Sequence, residues 1–110
     1  MSKVGGRVDA VTLDHPDRDT LALRGALTFA TAAGALAEGG RTLAAGAQTR
    51  LDLAGLTRAD SAGLACVLAL AADASRAGRT LRVEHWPQGL RSLAAVCDAE
   101  ALLDPPATRA

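Results

Sequence analysis

Three short stretches constrain this 110-residue chain more than anything else in it: Leu21-Ala22-Leu23-Arg24, Leu51-Asp52-Leu53 and Leu81-Arg82-Val83-Glu84. Successive strand residues point to opposite faces, so each stretch gathers its large apolar side chains on one side. A sheet buried on both faces has continuously apolar strands instead. The alternation therefore predicts a sheet with one covered face and one partly wet face, with helices mainly on one side. A chain of this length supports one such core and leaves little room for a second.

The segments between these stretches supply the remaining elements. Arg7–Leu13 is predicted as a strand. His15-Pro16-Asp17-Arg18-Asp19 is a polar turn, and Thr20–Arg24 returns as the second arm of a hairpin. From Thr28 to about Ala45 alanine dominates, which favours helix with Thr28 as N-cap. Gly34 and Gly39-Gly40 each cost the helix about 1 kcal/mol, so its second half is expected to fray or bend. Leu51–Ala54 is a short strand, Gly55–Asp60 a turn, and Ala62–Ala77 a second helix stopped at Gly78. Arg76 and Arg79 suit the negative end of that helix. Thr80–His85 is a strand, Pro87 opens a third helix through Val96, and Glu100–Leu103 adds a last turn before Asp104-Pro105-Pro106. The order β-β-α-β-α-β-α predicts an α/β fold: a mixed four-stranded sheet with an antiparallel edge strand and parallel crossovers. The domain is expected over residues 8–103, with flexible ends at 1–7 and 104–110.

Composition removes several function classes. Lysine plus arginine equals aspartate plus glutamate at 12 each, so no net field draws the chain to nucleic acid or to an anionic membrane. Phe29 and Trp86 are the only aromatic residues, so the stacking platforms of single-strand binders are missing. The N-terminus lacks an apolar signal core. Uncharged runs such as 61–72 fall short of the roughly 20 residues of a membrane helix, and a soluble intracellular chain is expected. Cys66 and Cys97 lack ligand neighbours at zinc-site spacing and are expected to stay reduced, with no metal or other cofactor. No phosphate-binding glycine loop is present. His15, in a polar turn, is given no role.

The richest segment is Leu51-Asp52-Leu53-Ala54-Gly55-Leu56-Thr57-Arg58-Ala59-Asp60-Ser61-Ala62-Gly63-Leu64, a strand, a turn and a helix start. Asp60 or Ser61 can cap the helix by accepting from its unpaired N–H groups. The same geometry presents the Ser61 hydroxyl to a partner or a kinase, and Gly63 either admits close approach by a partner or packs tightly beneath the sheet. On a helical wheel Leu64, Val67, Leu68 and Ala71 form the core face. Ala62, Cys66, Ala69 and Leu70 lie opposite, and no charge appears before Asp73. A helix apolar on every side is either deeply buried or covered by another protein, and the one-sided sheet points to the second. Asp60, Ser61, Ala62, Gly63, Cys66 and Leu70 are therefore the candidate partner-binding residues.

An enzyme reading competes with this one. Ala59-Asp60-Ser61-Ala62-Gly63 resembles a nucleophile elbow, and Asp73 and His85 follow in the chain order of that hydrolase class. Asp73, however, falls on a helix surface, His85 at a strand end, and the chain is short for the lids and oxyanion loop such a site requires. No catalytic activity is expected.

The run from Leu51 to Leu64 also resembles the signature of STAS domains, found in sulfate transporters and anti-sigma factor antagonists. Gly25-Ala26-Leu27-Thr28-Phe29-Ala30-Thr31-Ala32, Ala77-Gly78-Arg79-Thr80-Leu81-Arg82 and Leu90-Arg91-Ser92-Leu93-Ala94 extend the resemblance over roughly residues 8–103. Asp-Ser-Ala-Gly-Leu and the apolar helix after it are most similar to the MlaB branch, the STAS subunits of Mla phospholipid ABC transporters. That resemblance implies a non-enzymatic cytoplasmic subunit, held at the inner membrane by binding an MlaF-like ATPase, with Ser61 at the contact and a role in outer-membrane lipid asymmetry. Its anti-sigma branch implies instead that Ser61 is a phosphoacceptor for a partner kinase. Antagonists of that branch continue into a further strand and helix.

Overall fold

The computed structural model describes residues 10–96. The strand residues expected at 7–9, the ends at 1–7 and 104–110, Cys97 and the turn at 100–103 lie outside them. Along the chain run β1 (Val11–Asp17), β2 (Thr20–Leu27), α1 (Phe29–Ala45), β3 (Arg50–Ala59), α2 (Ser61–Arg76), β4 (Arg82–Glu84) and α3 (Gln88–Val96). The sheet order is β1-β2-β3-β4, with β1 antiparallel to β2 and the other two pairs parallel. The α/β architecture inferred from the leucine alternation is the one observed. Leu21, Leu23, Leu51, Leu53 and Val83 point into a core shared with Val67 and Leu70 of α2 and Leu90 of α3.

The opposite face of the sheet is polar. Arg24 meets Asp14 at 3.2 Å, Arg50 meets Glu84 at 3.6 Å, and His85 Nδ1 lies 2.9 Å from Asp52. These pairs are largely exposed and hold neighbouring strands in register more than they stabilise the fold. Asp52 also accepts from the Ala54 N–H. Its carboxyl lies below the ordinary value of 3.8: burial pushes it up, and the Ala54 N–H and His85 outweigh that push.

Element boundaries differ from the sequence expectation in instructive places. The first strand continues through Asp17 and the hairpin turn shrinks to Arg18-Asp19, with Asp17 accepting from the Asp19 N–H at 2.9 Å. Pro16 is tolerated because it sits in an irregularity of an edge strand, where a missing donor costs no ladder bond. β3 runs to Ala59, where composition suggested a turn from Gly55. Parallel pairing with β2 carries it, helped by the Thr57 hydroxyl donating to the Gly25 carbonyl at 3.2 Å and by burial of Leu56. β4 is only three residues long. It stops at Glu84 because His85 takes a positive φ of 58° and turns the chain toward Trp86 and Pro87.

Helix α1 neither ends nor breaks at its glycines. A Cβ on Gly39 would lie 2.8 Å from a Leu70 methyl, so the glycine lets α1 and α2 pack at close range. Arg79, expected at the negative end of α2, serves α1 instead, donating to the Leu43 carbonyl there and to the Gln48 carbonyl in the following loop.

This packing corrects the expected division of α2 into core and outer faces. Cys66 is 3% exposed and Leu70 is 0% exposed, so neither lies on an outer face, whereas Leu68 and Ala71 are only partly buried. The wheel treated the sheet as the only surface available to α2. In the fold, α1 lies beside α2 in the same layer and covers that flank. Burial pushes the Cys66 thiol up to about 11. In a Cys97→Ser background, Cys66 is therefore expected to resist a thiol-specific disulfide reagent in the folded chain and to react on denaturation. Immediate labelling of the folded protein would contradict this placement.

Candidate partner-binding site

β2 and β3 end side by side, with Leu27 opposite Ala59. The next residue of each strand, Thr28 and Asp60, is the N-cap of the helix that follows. Both caps have extended backbone, so α1 and α2 turn back over the same sheet face from adjacent starting points. Thr28 begins a capping box in which its N–H donates to the Thr31 hydroxyl at 2.9 Å.

Asp60 does more than cap its own helix. Its Oδ1 accepts from the Gly63 N–H at 3.0 Å, and its Oδ2 accepts from the Phe29 N–H at 3.1 Å. One carboxylate thus satisfies the first turns of two helices whose positive ends converge on it. The Gly63 N–H lowers the Asp60 carboxyl below its ordinary value of 3.8; partial burial opposes this, and the Phe29 and Ala62 N–H groups add to the lowering.

Ser61 is the first residue of α2 and is exposed. Ala62 is half-buried beside it. Gly63 is buried, and a Cβ there would come within 2.3 Å of the Leu27 carbonyl oxygen. Its role in the fold is close packing of α2 on β2, the second of the two readings open from sequence. Of the six candidate residues, Asp60, Ser61 and Ala62 stand together at the surface. Gly63, Cys66 and Leu70 support them from within.

Phe29 was missed as a site residue. It is 85% exposed at the first turn of α1, immediately beside Asp60. Keeping a phenylalanine in water forgoes roughly 1.5–3 kcal/mol of burial energy, so this exposure is an uncompensated cost in the isolated chain. A helical wheel of α1 held the clue: Phe29 falls with Ala33 and Leu36, away from the buried stripe of Ala35, Gly39 and Leu43.

The hydrolase constellation is not assembled. His85 pairs with Asp52, seven strand residues from Ala59 and hence about 20 Å along β3 from the Ser61 end. Asp73 pairs with Arg76 on α2. A nucleophile elbow also holds its serine on strained backbone, yet among the described non-glycine residues only His85 has a positive φ. Among the described residues no group of histidine, cysteine, aspartate or glutamate could hold a metal ion, and no helix is long and apolar enough to cross a membrane.

A β-β-α-β-α-β-α chain with its paired helix starts at a strand-turn-serine segment defines a STAS domain, and the chain belongs to that family. The matching family model, described as the MlaB STAS domain, covers residues 11–104. Among solved structures, the anti-sigma factor antagonist SpoIIAA in its unphosphorylated form has a TM-score of 0.65 at 20% identity, over 82% of each chain. The Bacillus cell fate determinant SpoIIAA in its phosphorylated form has a TM-score of 0.62 at 20% identity, covering 82% of this chain and 85% of that one. At this identity the likeness is one of fold. No curated protein sequence matches the chain.

Asp60→Ala is expected to destabilise the domain by about 1–2 kcal/mol in chemical denaturation, since it removes an N-cap and a second backbone bond. The carboxylate's contribution is complete above the unfolded value and is lost as pH falls through the depressed folded value. The stability gap between wild type and Asp60→Asn should therefore be constant at neutral pH and narrow below about pH 4. A gap independent of pH would remove the double-cap assignment.

Proposed function

We propose that the protein is a non-catalytic accessory subunit that docks, through the Ser61 end of α2, onto the ATPase of an Mla-type phospholipid ABC transporter and regulates it. The observation that carries this reading is the surface at Asp60, Ser61 and Ala62. An exposed hydroxyl stands there on a rigid platform, because one carboxylate pins both helix starts, and an exposed aromatic lies next to it. Membership of a family described by its MlaB domain supports the transporter as the setting. On this reading the subunit is cytoplasmic and reaches the inner membrane only through the complex, where it serves outer-membrane lipid asymmetry.

A second reading is supported by the fold likeness to SpoIIAA, whose solved forms include a phosphorylated one. Here Ser61 would accept phosphate from an anti-sigma factor kinase. The change adds about −1.5 to −2 charge beside the Asp60 carboxylate and reverses the character of the surface a partner meets.

Ser61→Arg separates binding from folding, since the side chain is exposed. In affinity capture from the native cell, an ABC ATPase retained by wild type and lost, by tenfold or more, from Ser61→Arg is the expected result. Equal recovery of the ATPase with both proteins contradicts docking at Ser61. Capture of a kinase-like anti-sigma factor, with phospho-Ser61 in the extracted protein, supports the second reading.

A further inference from the structure

We propose that the groove between α1 and α2 receives an uncharged amphipathic helix of the docking partner, with Phe29 anchoring its open end. This inference rests on the docking reading and specifies what the partner contributes. The groove has a volume of about 320 Å³ and is walled by Ala33 and Leu36 of α1 and by Ala62, Ala65 and Ala69 of α2, over a floor that includes Cys66. At one end stand Phe29 and the shared helix starts. At the other, Gly40 lies against Asp73, which pairs with Arg76.

Charge and backbone chemistry together select the occupant. α1 carries no ionisable side chain before Glu38 and α2 none before Asp73. The positive ends of both helices are offset by the Asp60 carboxylate that accepts from them. A charged occupant would lose hydration along this surface and gain no counter-charge, so charge matching calls for a neutral segment. The groove walls are side chains of two helices whose backbone groups are already spent in their own hydrogen bonds. An extended segment laid there would bury N–H and C=O groups without partners, whereas a helix arrives with its own satisfied. Alanine walls permit the close approach that helix packing requires, at an interaxial distance of about 8–10 Å. From Phe29 to Gly40 the groove runs about 16 Å, three helical turns, and fits apolar side chains at i, i+3 or i+4, and i+7. Phe29, held by its backbone N–H at the entrance, supplies the large rigid anchor typical of such contacts.

The test places the photoreactive residue benzoylphenylalanine at Ala33, Ala65 or Ser61, one position per full-length chain, in the native cell. All three positions are exposed, so the fold tolerates the change. Cross-linked peptides are sequenced by mass spectrometry. The expected result is that positions 33 and 65 label one helical, uncharged stripe of the same ATPase that position 61 labels, and that Phe29→Ser lowers both yields at least tenfold. Labelling of the ATPase from position 61 but not from 33 or 65 overturns the groove while leaving the docking reading intact. Labelling from 33 and 65 of a charged or extended peptide, or only of a second copy of this chain, also overturns it. Absence of the ATPase from all three positions removes the docking reading and this inference together.

Discussion

The Asp60 carboxylate is the constraint on which the working end of this domain depends. Parallel strands β2 and β3 deliver two helix starts to the same edge of the sheet, each with unpaired N–H groups and a positive end. Left to themselves these starts would repel and would need solvent to satisfy them. A single acidic side chain between them accepts from Gly63 on one side and Phe29 on the other, so the two helices share one electrostatic ground. Everything exposed at that edge is placed by this arrangement, including Ser61 and the ring of Phe29.

Close packing behind the edge makes it rigid. Gly63 lets the first turn of α2 approach the Leu27 carbonyl, and Gly39 lets α1 press against Leu70. Cys66 and Leu70 then close the layer between helices and sheet. Rigidity matters for a binding module, because groups already held in place lose little conformational freedom when a partner arrives. The far face of the sheet, tiled by exposed ion pairs, offers no comparable apolar surface.

Much of this was legible in the residues themselves. Alternation in Leu21-Ala22-Leu23 and Leu51-Asp52-Leu53 specified a one-sided sheet, because a period of two has no other physical meaning. Asp60 and Ser61 marked the helix start by capping chemistry. Periodicity was blind to neighbours in space. A wheel of α2 cannot know that α1 will lie alongside, so Cys66 and Leu70 looked external. Gly55–Ala59 looked like a turn because parallel pairing with β2 is a non-local interaction. The second hydrogen bond of Asp60 spans 31 residues and leaves no local trace. Phe29 was hidden for the opposite reason, as one apolar residue in an apolar helix whose exposure depends on where that helix begins.

The central claim is that the paired helix starts form the docking surface. Hydrogen–deuterium exchange of the full chain, free and saturated with the co-purified ATPase, measures this most directly. The account predicts added protection concentrated at residues 28–36 and 60–69, with the open sheet face at 50–54 and 82–85 unchanged. Protection confined to that open face, with the helix starts exchanging as they do in the free protein, would contradict it.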